Sequence, residues 1–223
     1  MNDLRSTYEY VLRTNFLVFV EKCFVTLNPG VAFQDGWHLH AMAELLRLVE
    51  LGDIRNAIVN IPPRSGKSIM ISIAFPAWLL GHDPRRRVIC VSVEDRLVRL
   101  LAEGFRTVVE SNWYARAFPD FKISPRGNRA NETLTTRRGF RFGVPLGGSV
   151  LGRGADFLIG DDVMSADAAL SEKVRRRQLD QWAAKFPSRL DDKSKGATVI
   201  VGQRLHEDDI VGRLTRSPEE DTQ

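Results

Sequence analysis

The sequence predicts an α/β fold around a mostly parallel sheet, and three observations carry that expectation. From residue 57 onward, short apolar runs alternate with stretches of helical spacing. The runs themselves (AIVNI, RVICVSV, ATVIVG) are nearly continuous in apolar character, as strands covered on both faces are. A length of 223 residues suits one such domain with a small addition, and 43% hydrophobic against 27% charged residues suits a packed core rather than a disordered chain.

Residues 1–27 read as helical, with Leu12, Phe16, Phe19, Val20, Cys23 and Phe24 at three- and four-residue spacing, and Asn28-Pro29-Gly30 ends that stretch. A second helix is expected from His38 to Glu50, closed by Gly52. The strand Ala57–Ile61 then precedes a helix from about Lys67 to Leu80, and the strand Arg87–Val93 precedes one from about Glu94 to Glu110. Phe140–Val144 is expected as a strand of an added hairpin, and Phe157–Gly160 as a strand ending in Asp161 and Asp162. A charged helix near Leu170–Lys185, the strand Ala197–Gly202 and a short helix near Asp208–Thr215 complete the series. The expected organisation is a helical arm or cap over 1–52, a core over 53–216 and an acidic tail over 217–223.

Composition excludes several classes. Two cysteines, Cys23 and Cys90, form neither a disulfide framework nor a zinc site, which favours a reducing compartment. The most apolar stretch, Ile69–Leu80, is too short to span a bilayer, and the N-terminus shows no signal peptide. The net charge is +4, and three of the acids sit in the tail, leaving 32 bases against 25 acids in residues 1–216. That basic body is compatible with a polyanionic partner without requiring one.

The strongest motif is Pro62-Pro63-Arg64-Ser65-Gly66-Lys67-Ser68, placed between a strand and a helix as a phosphate-binding loop requires. Backbone N–H groups of such a loop, helped by the helix dipole, surround a β-phosphate. Lys67 would bridge β- and γ-phosphates and Ser68 would hold Mg²⁺. Position 61 is Ile where the strict pattern has Gly, so the loop is a variant form. A turn with a solvated lysine is the bland alternative, which the flanking strand and helix disfavour. Arg64 is either a γ-phosphate sensor or the partner of an acid.

Asp161 and Asp162 stand at the carboxyl end of an apolar strand, the edge where open parallel sheets bind ligands. Asp161 is expected to hold Mg²⁺ through water and Asp162 to orient or deprotonate an attacking water. A turn or cap pair is the alternative for Asp after a strand. Along the chain, Arg87–Val93 lies between the two sites. This suggests the additional-strand division of P-loop NTPases, typical of motors and helicases.

These segments, with FPAWLLGHDPRRRVICVS, LGRGADFLIGDDV, LSEKVRRRQLDQW and GQRLHEDDIVGRL in that order, resemble the ATPase domain of bacteriophage terminase large subunits over about Gln34–Leu214. The resemblance implies an α/β ATPase with an N-terminal helical element. The activity it implies is ATP hydrolysis, with Mg²⁺, coupled to translocation of double-stranded DNA into a procapsid. It also implies a portal protein and a small terminase subunit as partners, and a homo-oligomeric ring, commonly a pentamer, as the assembled state. A monomer in isolation stays open. The location implied is the host bacterial cytoplasm, transiently at the portal.

Residue by residue, the phosphate loop falls on Arg64, Ser65, Gly66, Lys67 and Ser68, the metal aspartate on Asp161, and the catalytic carboxylate on Asp162, where many relatives have Glu. Arg153 in Gly152-Arg153-Gly154 falls where the family places an arginine finger, often acting on a neighbouring subunit; a solvated or DNA-bound loop arginine is the alternative. Gln203, at the end of the last strand, falls where the family couples hydrolysis to movement; a strand-end amide either contacts γ-phosphate or simply caps a turn. Gln34 and Trp37 fall in the adenine-recognition segment, although ordinary packing explains a Trp at a helix start equally well.

The clusters Arg85–Arg87, Arg137–Arg138 and Arg175–Arg177 fit either DNA backbone contacts or solvated faces. Asp208 or Asp209 is expected to cap the last helix. A second, nuclease domain is not expected within these residues, so no DNA cleavage is expected of them. Two other functions compete: a nucleotide kinase, and a nucleotide- or DNA-binding module without hydrolysis.

Overall fold

The computed structural model describes residues 2–126 and 128–216; the acidic tail expected over 217–223 lies outside the described residues. Three helices open the chain: α1 (Asn2–Thr14), α2 (Phe16–Leu27) and α3 (Trp37–Leu51). The single helical stretch expected over 1–27 is divided at Asn15, whose side chain accepts from the Val18 N–H at 3.1 Å and so starts a new helix. Gly52, at φ 85°, ends α3 in the left-handed conformation that a glycine reaches without strain.

The strand β1 (Asn56–Asn60) leads through residues 61–66 into a continuous helical rod. Ile69–Ala74 of this rod is π-helical, and α4 (Phe75–His82) continues it. The sequence predicts plain α-helix here. Pro76 has no N–H to offer the Ser72 carbonyl four residues back, and the Phe75 N–H instead reaches Met70, five residues back.

The chain then runs through β2 (Arg87–Ser92), α5 (Asp95–Val109), α6 (Asn112–Ala117), β3 (Glu132–Leu134), β4 (Phe140–Pro145) and β5 (Phe157–Asp161). It ends with α7 (Ala166–Leu170), α8 (Glu172–Lys185), β6 (Ala197–Gly202) and α9 (Ile210–Thr215). Neither α6 nor β3 was legible from periodicity, being six and three residues long. The charged helix expected at 170–185 is α8, which starts at Glu172; the short helix α7 before it, parted from it at Ser171, was not expected.

The six strands lie in the order β1-β6-β5-β2-β4-β3. All neighbours are parallel except the β3–β4 pair. The expected hairpin therefore exists between β3 and β4, but β4 also extends the main sheet by pairing with β2 along Arg87↔Phe140 to Ser92↔Pro145. Although Arg87–Val93 separates the loop and the carboxylates along the chain, the strand that separates β1 from β5 in the sheet is β6.

Alternate residues of each strand face two helical layers. Val59, Cys90, Ile159 and Val199 face the layer holding Phe19, Phe75, Trp78, Phe105 and Phe118. Ile89, Val91, Leu158 and Ile200 face Trp182, Phe186, Ile210 and Val211. Helices α1–α3 belong to the first layer: the Phe19 ring meets Trp78, Trp113, Tyr114 and Phe118 at centroid distances of 5.4–6.2 Å.

The cap expected near the C-terminus is Asp209. Its Oδ1 accepts from the Gly212 N–H at 2.9 Å and its Oδ2 from the Leu205 N–H at 2.9 Å. Because the carboxylate is buried and serves three backbone donors, those of Leu205, His206 and Gly212, Asp209→Ala is expected to destabilise the fold by about 2 kcal/mol. A urea midpoint unchanged from the parent chain would refute that role.

Candidate functional site

The carboxyl edge of the sheet gathers most of the residues singled out from the sequence. The turn after β1 places Gly66 at φ 79° and Arg64 at φ 62°, so left-handed residues alternate with others, a pattern that concentrates N–H groups into an anion-binding concavity. The Ser65 hydroxyl donates to the Pro62 carbonyl at 2.8 Å and braces the turn. Lys67 and Ser68 open the helix that follows. Ile61, in the place of the missing glycine, donates its N–H to the Gly202 carbonyl at 3.2 Å and so ties the turn to β6.

Two carboxylates meet this turn from the end of β5. Lys67, only 5% exposed, places Nζ 2.7 Å from Asp162 Oδ1. The Ser68 hydroxyl donates to Asp161 Oδ1 at 3.2 Å, and the Ser72 hydroxyl donates to Asp161 Oδ2 at 2.7 Å. Burial pushes the Asp161 carboxyl up to about 6, with the neighbouring Asp162 charge adding to the rise; the Ser72 and Ser68 hydrogen bonds and the Lys67 charge oppose it. Asp162 takes φ 44°, unusual for a residue with a side chain, and its backbone spans two strands: its N–H donates to the Val201 carbonyl at 2.9 Å and its carbonyl accepts from the Val93 N–H at 3.3 Å. That conformation turns the Asp162 side chain toward Lys67 rather than along the strand.

Gln203 follows β6, whose end opens between the turn and β5, and it lines a small cleft with Asp162, Met164 and Asp209. Beside the turn, a cavity of about 470 Å³ is lined by Phe33, Gln34, His38, Leu39, Arg64 and Gly66, among others. Phe24 and Phe33 meet edge to face in its wall at 5.5 Å.

Trp37 and Arg153 are not part of this gathering. Trp37 is 83% exposed and does not line the cavity. Arg153 lies on the β4–β3 side of the sheet, the edge opposite β1. Its guanidinium stands 4.2 Å from the Phe142 ring centroid and makes a two-pronged pair with the buried Glu132 of β3, Nη2 lying 3.0 Å from Oε2.

Four of the eight clustered arginines, Arg85, Arg86, Arg87 and Arg175, are engaged. Arg85 pairs with Asp83, Arg87 with Asp191 and Asp156, and the Arg86 guanidinium lies over Phe157. Arg175 is buried, donating to the Ala169 carbonyl at 2.7 Å.

Three contributors escaped the sequence reading: Ser72, hidden in an apolar run although it stands four residues after Ser68; Glu132, on a three-residue strand; and Arg141, buried on β4. The spacing of Ser68 and Ser72 on one helical face was the available signal for the first. Among the described residues no helix is long and apolar enough to cross a membrane.

Taken together, the described residues form a three-layer, mostly parallel α/β fold with a lysine–serine–carboxylate cluster at the carboxyl edge of its sheet. No family model matches the sequence, and no curated protein matches it. Among solved structures, the fold is similar to the crystal structure of the HK97 bacteriophage large terminase, with a TM-score of 0.59 and 12% sequence identity. The match covers 89% of this chain but 39% of that protein, and at such identity the likeness is one of fold.

Proposed function

We propose that this chain is the ATPase domain of a terminase-type DNA-packaging motor, a P-loop enzyme of the additional-strand division that hydrolyses ATP with Mg²⁺. The observation that carries this is the convergence of Lys67, Ser68, Asp161 and Asp162 at one strand edge. The insertion of β6 between β1 and β5 supports the division, and the fold likeness to a phage large terminase supports the biological setting.

The donor set fits Mg²⁺: it is all oxygen, a hydroxyl and a carboxylate, and Asp161 is buried with its charge only partly compensated. Bound Mg²⁺–ATP supplies a γ-phosphoryl group open to in-line attack by water. Lys67 would leave Asp162 for the β- and γ-phosphates. Asp162, so released, would orient the water and accept its proton. Ser65 and Gly66 would present backbone N–H groups to phosphate oxygens, with Arg64 a second cation at the same turn. Gln34 would meet the base in the adjoining cavity, with no contact assigned to Trp37. Arg153 would serve a neighbouring copy as a finger only after its pair with Glu132 opens. Gln203, beside Asp162, would relay the state of the site to the segment leading into α9. Double-stranded DNA, a portal protein, a small terminase subunit and a ring of copies at the procapsid portal complete the proposal.

The test is phosphate release from ATP with and without Mg²⁺, at several protein concentrations and with double-stranded DNA present or absent. Mg²⁺-dependent release of phosphate to water is the expected result. Transfer to a nucleotide acceptor would favour a kinase instead, and binding without turnover in every condition would favour a non-hydrolysing module.

A further inference from the structure

We infer that Ser72 is a positioning residue for the metal-binding carboxylate, an inference resting on the Mg²⁺–ATP function proposed above. Asp161 offers two oxygens, and two hydroxyls divide them: half-buried Ser68 takes Oδ1 at 3.2 Å, and fully buried Ser72 takes Oδ2 at 2.7 Å from the core side. The terminal torsion of an aspartate is soft, so a carboxylate held at one oxygen only swings freely about it. The Ser72 hydrogen bond fixes the inner oxygen and leaves the Oδ1 edge facing Ser68, where a cation has a hydroxyl and a carboxylate within reach.

Ser72 is itself held in place. It lies within the π-helical segment Ile69–Ala74, a geometry found mostly as single turns at functional sites. Pro76 cannot donate to its carbonyl, and the Arg141 Nη2 of β4 approaches that carbonyl at 3.5 Å. Arg141 is 1% exposed, and its Nε and Nη1 have no hydrogen-bond partner among the described residues. The guanidinium also lies over the Phe105 ring at 5.8 Å and beside Cys90, on the face of the sheet that carries Ser72.

A buried serine that merely satisfies its own hydroxyl would have the same hydrogen bond, so the test must read the metal. Affinity for a non-hydrolysable ATP analogue is measured by calorimetry, in chelator and across a Mg²⁺ titration, for the parent chain, Ser72→Ala and Ser72→Thr. The expected result is Mg²⁺-free affinity within about twofold for all three. The gain on adding Mg²⁺ is expected to fall by roughly 10–100-fold in Ser72→Ala, as when the partner of a metal ligand is lost, and to be restored in Ser72→Thr. Wild-type Mg²⁺ dependence in Ser72→Ala, or equal weakening with and without Mg²⁺, would overturn the inference. A parent chain whose affinity ignores Mg²⁺ would overturn the metal site itself, and this inference with it. A Ser72→Thr chain that misfolds leaves the decision to the alanine variant, whose side chain only loses an atom.

Discussion

Lys67→Ala is expected to lower kcat/KM for the proposed Mg²⁺-dependent ATP hydrolysis by at least about 10²–10³-fold, the usual consequence of removing one preorganised charge from a transition state. The argument is geometric. Lys67 is the cation whose Nζ reaches Asp162 at 2.7 Å, and it is nearly buried, so solvent does not replace it. Its loss removes the bridging charge from the phosphates in the proposed chemistry and, before nucleotide binds, leaves Asp162 without the partner it has in this structure. The fold is expected to tolerate the change, because the Asp162 side chain keeps 33% of its exposure and can hydrate. Lys67→Arg is not a rescue, since a planar fork does not replace a compact ammonium in a closed turn. Steady-state kinetics at saturating Mg²⁺ provide the measurement. A variant with unchanged kcat/KM would remove Lys67 from the catalytic machinery.

The second large effect concerns stability in metal-free solution. Asp161 is held near 6 in the fold, chiefly by burial, against an unfolded value of about 3.9. Between those values the folded chain binds more protons than the unfolded chain, so the Asp161 contribution to stability falls as pH rises from about 4 to about 6. A displacement of that size corresponds to about 2–3 kcal/mol at pH 7. Asp161→Asn keeps the shape and carries no charge: its amide oxygen accepts from one of the two hydroxyls, and its amide N–H₂ donates to the other, which rotates to accept. It is therefore expected to be more stable than the parent chain at pH 7 without Mg²⁺ and to match it near pH 4. Urea denaturation in chelator at both pH values provides the comparison. Equal stability at both would mean that Asp161 is not under strain from burial.

Much of the fold was written in periodicity. Continuous apolar runs marked β1, β2, β5 and β6 to within a residue or two; the inner three are buried on both faces, which leaves little room for polar residues, and edge strand β1 keeps the apolar run Ala57–Val59 between exposed asparagines. The site was legible to the extent that it is local: the turn 62–68 and the Asp161-Asp162 pair each declare themselves in a few consecutive residues. Order within the sheet was not legible. The strand between the two halves of the site comes last in the chain, and only hydrogen-bond pairing reveals it. Contacts fixed by distant segments were hidden for the same reason. Nothing near Arg153 in sequence announces Glu132, 21 residues earlier, and nothing in RVICVSV announces that Arg87 is taken by Asp191. Ser72 was missed because hydropathy averages it into its apolar neighbours, and the proline that alters the helix there acts on a carbonyl four residues back.

The position of β6 limits where this molecule is able to flex. It is registered residue for residue with β1 from Asn56↔Thr198 to Asn60↔Gly202, and with β5 from Phe157↔Ala197 to Asp161↔Val201. The loop and the carboxylates are thus mounted on three strands in unbroken register, where bending costs ladder hydrogen bonds. Any stroke set off by nucleotide is expected where these strands end, at the left-handed joints Arg64, Gly66 and Asp162 and in the chain leaving Gly202. A covalent cross-link between β1 and β6 would leave such a stroke free, whereas one tying the 203–209 segment to the end of β5 would lock it.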